Sequence, residues 1–126
     1  MPSVAIIGAS RDRSKYGNKS VRAHLQQGYD VYPVNPNADM VEGLTAYANL
    51  DDVPVDSLNR ISVYVPPEVG IGLLDEIQEI GAREVWFNPG SESSALLHRA
   101  SELGLDIIQA CSIVDVGVLP SAFSDT

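Results

Sequence analysis

The chain has 126 residues, 44% of them hydrophobic and 20% charged, and carries a net charge of −9 at pH 7. Those numbers suit one compact domain over residues 1–126 and exclude long disorder; the acidity argues against nucleic acid, whose binders present a basic face. No apolar run approaches the roughly 18–20 residues that span a bilayer, the start lacks the pattern of a secretory leader, and a lone cysteine, Cys111, fits a reducing, cytoplasmic setting.

The first predicted strand, Val4-Ala5-Ile6-Ile7, is an apolar run of the fully buried kind and passes into Gly8-Ala9-Ser10. A helix follows over 16–27, with Val21 and Leu25 on one face and Gly28 as its stop. A second strand over 31–34 ends at the turn Asn35-Pro36-Asn37. Residues 38–58 show no firm period, and Asp51-Asp52 reads as a solvated or capping pair. A third strand over 61–65 stops at Pro66-Pro67. The stretch after it is amphipathic, with Val69, Leu73, Ile77 and Ile80 at helical spacing and Gly81 at its end. A fourth strand over 84–87 stops at Asn88-Pro89-Gly90. Ser91 or Ser93 caps the next helix, which Gly104 ends, and a fifth strand covers 106–110. The tail from Cys111 onward is mixed in character.

Alternation of this kind implies an α/β fold: a Rossmann-like, doubly wound, five-stranded parallel sheet in the order 3-2-1-4-5, with helices on both faces. Ligands of such sheets sit outside the carboxyl ends of the strands. All four punctuation points, at residues 8–10, 35–36, 66–67 and 88–90, fall on that edge. So does the charge. Arg11, Arg13, Lys15, Lys19 and Arg22 face one acid, Asp12, which leaves 11–22 at +4 in a chain that is otherwise strongly acidic. A glycine turn opening a helix offers free N–H groups and a positive dipole end. Beyond about 8 Å the surrounding negative charge is screened at physiological salt. The sequence therefore points to a small anion, with phosphate as the first choice.

The dinucleotide fingerprint Gly-x-Gly-x-x-Gly is absent: after Gly8 the next glycine is Gly17. The tip of the second strand, Val34-Asn35-Pro36, has no acid for a ribose and only Asn35 to accept a hydrogen bond. Plain NAD fits poorly. NADP stays open, since a nearby cation is the usual partner of its 2′-phosphate.

Residues 4–10, Lys15-Tyr16-Gly17-Asn18-Lys19, residues 31–36 and Val65-Pro66-Pro67-Glu68, in this order, resemble the small single-domain CoA-binding proteins. These are similar to the N-terminal CoA-binding domain of the succinyl-CoA synthetase alpha subunit and its acyl-CoA synthetase relatives. The segment Trp86-Phe87-Asn88-Pro89-Gly90-Ser91-Glu92-Ser93 resembles the stand-alone branch. The resemblance covers residues 4–112 and implies coenzyme A or an acyl-CoA as ligand. By it, Gly8, Ala9 and Ser10 line the pyrophosphate with N–H groups and a hydroxyl, and Arg11 and Lys15 meet the phosphates, with Arg13 as a further candidate. Tyr16 and Gly17 shape the loop, Val34, Asn35 and Pro36 flank the adenosine, and Val65, Pro66 and Pro67 border the adenine or the pantetheine arm. Asn88 lies further along the same rim.

The synthetases also carry a phosphohistidine domain and a nucleotide-grasp subunit. Nothing here matches either, and His24 and His98 fall inside predicted helices as surface or packing residues. No Ser/His/Asp set, carboxylate pair or metal-ligand spacing is present in the sequence. Ligase chemistry therefore does not carry over. Cys111 reads as a small buried hydrophobe, with a thiol on the ligand rim as the alternative. The expectation is a non-catalytic CoA carrier, sensor or regulatory protein, for which a protein partner or a homo-oligomer is natural. The alternatives are an NADP-binding redox protein and an interaction module with a vestigial nucleotide site.

Overall fold

A computed structural model describes residues 2–126. Its central sheet has four parallel strands, β1 (Ser3–Ile7), β2 (Asp30–Val34), β5 (Arg60–Val63) and β6 (Glu84–Phe87), in the order β2-β1-β5-β6. A small antiparallel hairpin, β3 (Met40–Val41) and β4 (Leu44–Thr45), lies between β2 and β5 in sequence. The helices are α1 (Tyr16–Gln26), α2 (Pro67–Gly70), α3 (Leu74–Ile80), α4 (Ser94–Glu102) and α5 (Ser112–Asp115). Among the described residues no helix is long and apolar enough to cross a membrane.

Two features depart from the expected five-stranded order. The strand read over 61–65 runs over 60–63 and pairs with β1, Ile61 opposite Ala5, not with β2. The outer side of β2 is already occupied. Tyr47, within the stretch that showed no period, donates its N–H to Pro33 O at 2.9 Å and accepts from Asn35 N at 2.9 Å. The strand expected over 106–110 shrinks to one bridge, in which Ile108 donates to Val85 O at 2.8 Å and accepts from Phe87 N at 2.9 Å. Past Ile108 the chain leaves the ladder because the Ser112 N–H is held by Asn88 Oδ1 at 2.9 Å. With both bridges counted as edges, the order reads Tyr47-β2-β1-β5-β6-Ile108, the doubly wound pattern with reduced rims. The strand order therefore reverses between β1 and β5.

Side chains alternate along β1. Ala5 and Ile7 face a core shared with Leu50, Leu58, Leu74, Ile77, Phe87 and Leu96 from the α3 and α4 side. Val4 and Ile6 face Val21 of α1, with Val31 and Val41. The helix expected over 69–80 is broken into α2, a 3₁₀ turn over Ile71–Leu73, and α3. Gly70 and Gly72 weaken its middle, and a Cβ at Gly70 would press on Leu96 Cδ1 at 3.3 Å. Gly81 closes α3 at φ +75°, and Ser93 caps α4 by accepting from Leu96 N at 3.1 Å.

The α1/α5 side of the sheet also buries polar groups. His24 of α1 is wholly buried, and its Nδ1 donates to Ser20 O at 2.8 Å, which fixes the tautomer and leaves Nε2 as an acceptor. Its ring meets Tyr29 edge-on at 4.9 Å. Arg60 of β5 is clamped by Glu84 at 2.8 Å and Asp115 at 2.7 Å, between the rings of Tyr29 and Trp86.

Burial pushes the His24 pKa down to about 4. Between that value and the ordinary 6.5, an unfolded chain takes up a proton that the folded one refuses, so stability is complete above pH 6.5 and falls toward pH 4. Denaturant unfolding of wild type and His24→Gln at pH 7 and 4.5 will show the gap between them narrow by about 2 kcal/mol at the lower pH.

Candidate functional site

The crevice lies where the strand order reverses, at the carboxyl ends of β1 and β5. Gly8 leaves β1 at φ +88° and donates to Val34 O at 3.1 Å, while Tyr64 leaves β5 and donates to Ile7 O at 2.8 Å. Only glycine fits at either end of the following loop. A Cβ on Gly8 would lie 3.0 Å from the Tyr64 carbonyl carbon, and one on Gly17 would overlap the Gly8 carbonyl oxygen. The start of α1 is thereby seated on the backbone of the β1 turn. The loop from 8 to 17 is closed by Asn18, wholly buried, whose Nδ2 donates to Ser10 O at 2.8 Å and to Glu42 Oε2 at 3.0 Å. Its Oδ1 accepts from Arg22 Nε at 2.7 Å.

Two cavities flank this loop. One, of about 330 Å³, is lined by Gly8, Val34, Asn35 and Pro36 together with the 48–50 segment, Val69 and Leu73. The other, of about 450 Å³, is lined by Tyr16, Gly17, Tyr64, Pro66, Asn88 and Cys111, with Pro120 from the tail. Val65 lines both. The loop begins in the first cavity at Gly8 and ends in the second at Tyr16 and Gly17.

Most of the residues singled out from sequence come together here, with different duties. The Gly8 N–H belongs to the sheet, so it is not available to a ligand. Among the described residues the N–H groups of Ala9, Ser10, Tyr16 and Gly17 have no acceptor within the protein. The Ser10 hydroxyl accepts from Asp12 N at 3.0 Å. Arg11 and Lys15 are exposed, line neither cavity, and have no ion-pair partner among the described residues. Arg13 pairs with Glu42 at 3.5 Å. The Asn35 amide is committed internally, donating to Ala9 O at 2.8 Å and accepting from Asn37 N at 2.7 Å. Asn35 thus ties the tip of β2 to the loop. Pro67 opens α2 and lines neither cavity.

Asn88 is a keystone. Its Nδ2 donates to Ser62 Oγ at 2.8 Å and Val63 O at 2.9 Å, and its Oδ1 accepts from the Ser112 N–H and hydroxyl. Ser62 and Ser112 touch at 2.6 Å, and the Tyr64 hydroxyl joins them at 3.1 Å. Burial raises the Tyr64 pKa, so the phenol stays neutral as a hydrogen-bonding group. This network sets the far wall of the larger cavity and brings in Cys111, which is half-buried there and not a sealed core residue. Sequence reading missed Asn18, Glu42, Ser62 and Ser112. The available signals were Ser62 inside an otherwise apolar strand and Glu42-Gly43 at a turn, where Glu42 takes φ 50°.

Residues 2–117 match the model of the CoA-binding domain family. The chain belongs to that family. The family supports CoA as a ligand. An ADP-forming acetate–CoA ligase of Archaeoglobus fulgidus is 36% identical over 83 residues, which are 64% of this chain but 12% of that enzyme. A conserved hypothetical protein of Pyrococcus furiosus superposes with a TM-score of 0.81 at 35% identity, covering 91% of this chain and 99% of that one. The dinucleotide-forming acetyl-coenzyme A synthetase 1 of Ca. Korarchaeum cryptofilum, solved with phosphate and ADP, superposes with a TM-score of 0.72 at 30% identity over 86% of this chain and 25% of its own.

Gly17→Ala will cost about 2 kcal/mol of stability, because its Cβ meets a backbone atom that has nowhere to move. Gly72→Ala, which meets open space, will not destabilise; thermal unfolding of the two variants checks the contrast.

Proposed function

We propose that the protein binds coenzyme A or an acyl-CoA along the carboxyl edge of the sheet and acts as a carrier, sensor or regulatory protein without ligase chemistry. The observation that carries the proposal is the arrangement of two largely separate cavities joined by one cationic, glycine-anchored loop. That arrangement suits a ligand with a flat base at one end, an anionic middle and a long arm at the other. The adenosine occupies the 330 Å³ cavity beside Val34 and Pro36. The pyrophosphate follows the loop, taking the free N–H groups of Ala9 and Ser10 and the unpaired cations Arg11 and Lys15. The pantetheine arm enters the 450 Å³ cavity past Val65, Pro66 and Tyr16, toward Asn88 and Cys111.

Charge-assisted hydrogen bonds contribute roughly 1.5–3 kcal/mol each, and a micromolar complex amounts to about 8 kcal/mol. Arg11 and Lys15 therefore supply a large share of the affinity, before ordering costs are subtracted. Both side chains are exposed, so reversing them leaves the core untouched.

Calorimetric titration with CoA is expected to give saturable binding to wild type. Arg11→Glu with Lys15→Glu will weaken it at least a hundredfold at unchanged thermal stability. Unchanged affinity in the double variant places the phosphates elsewhere. Binding of NADPH in place of CoA returns the site to the redox reading.

A further inference from the structure

The basic stretch divides into two groups. Arg11 and Lys15 are open to solvent. Arg13, Lys19 and Arg22 each touch the end of the described chain. After a short turn at Pro120–Ala122, the chain runs back along α1. The Phe123 ring lies 5.5 Å from the Arg22 guanidinium, and Arg22 Nη2 donates to Ser124 O at 2.8 Å. Lys19 Nζ pairs with Asp125 Oδ1 at 2.7 Å, and Arg13 Nη1 donates to Thr126 O at 3.2 Å. Each residue from 123 to 126 thus meets one of the three cations.

The same segment reaches the candidate site. Pro120 forms part of the wall of the 450 Å³ cavity. Lys19 Nζ lies 5.9 Å from the centre of the Tyr16 ring, which lines that cavity, and the Lys19 side chain is only 12% exposed beneath Asp125. Asp125 itself is 68% exposed. Ion pairs with one member so exposed are weak and easily exchanged. A ligand bearing several phosphate charges makes a stronger partner for the same cations.

We infer that residues 119–126 form a displaceable electrostatic strap. It holds Lys19, Arg13 and Arg22, closes one wall of the larger cavity through Pro120, and yields these cations to an anionic ligand. The inference rests on the reading of the carboxyl edge as an anion-binding site. Its consequence is autoinhibition: loosening the strap tightens ligand binding.

The test combines amide hydrogen exchange with calorimetry on three proteins. The strap's own markers are the Ala122 and Phe123 N–H groups, bonded to Leu119 O at 2.9 Å and Pro120 O at 3.1 Å. In wild type, saturating CoA will speed exchange at these amides. Asp125→Asn and Phe123→Ala will each bind CoA about three- to tenfold more tightly; the second changes no charge, so a general field effect cannot account for it. Unaltered affinity in both variants, or exchange that slows on binding, overturns the strap and leaves CoA binding standing. Should wild type give no heat with CoA, the binding reading falls, and inorganic pyrophosphate replaces CoA in the exchange measurement. Faster exchange with pyrophosphate then supports the strap, and unchanged exchange overturns it.

Discussion

The contact on which the site depends is the seating of α1 on the Gly8 carbonyl. Any side chain at Gly17 would push the helix away from the end of β1. With glycine there, the loop between strand and helix is held tight at both ends, and the connection over residues 8–15 becomes a fixed cradle. Asn18 completes the closure from inside, one position beyond Gly17, by holding Ser10, Glu42 and Arg22 at once. The dinucleotide fingerprint achieves close helix–strand packing with a glycine much nearer the first. Moving it out to position 17 lengthens the loop enough to carry Arg11, Arg13 and Lys15 without losing the contact. The missing fingerprint and the basic loop are two aspects of the same rearrangement.

The opposite wall of the crevice is built from polar groups. Asn88 satisfies all its donor and acceptor capacity inside the protein, against Ser62, Val63 and Ser112. Leaving one of those groups unpaired costs more than the bond itself contributes. The cluster therefore forms as a unit, and it dictates where the chain goes after Ile108. The fifth strand stops early because its continuation is needed at Asn88. That diversion brings Cys111 to the cavity and starts α5 against α1.

Much of this was legible in the sequence. Strong periods and glycine or proline stops fixed β1, α1, β2, β6 and α4 to within a residue or two, and all four rim turns fall on one edge. The elements left unread have separate causes. Residues 40–47 form two-residue strands and a single bridge, too short for any period to accumulate. Inside α5 and β5 the polar network rests on Ser112 and Ser62, buried beside Ile113, Ile61 and Val63, and a pattern weighted to apolar residues passes over such serines. Strand order followed from neither propensity nor period. It was decided by Tyr47, which claims the free side of β2 and leaves β5 to pair with β1. Asn35 and Asn88 line the cavities, yet both spend their amides holding the framework together.

The charge cluster shows the same separation between position and role. Five cations within twelve residues look like one anion site. Coulomb attraction acts on all of them alike, but the fold does not leave all of them free. Arg22 sits one turn past Asn18 and is drawn into the support of the loop; Lys19 and Arg13 are balanced by carboxylates that the chain itself supplies, Asp125 and Glu42. Arg11 and Lys15 are the two whose side chains have neither an ion pair nor a hydrogen bond among the described residues. The positive field that reaches solvent is thus set chiefly by those two side chains, which belong to the same loop as the unpaired N–H groups at Ala9, Ser10 and the start of α1.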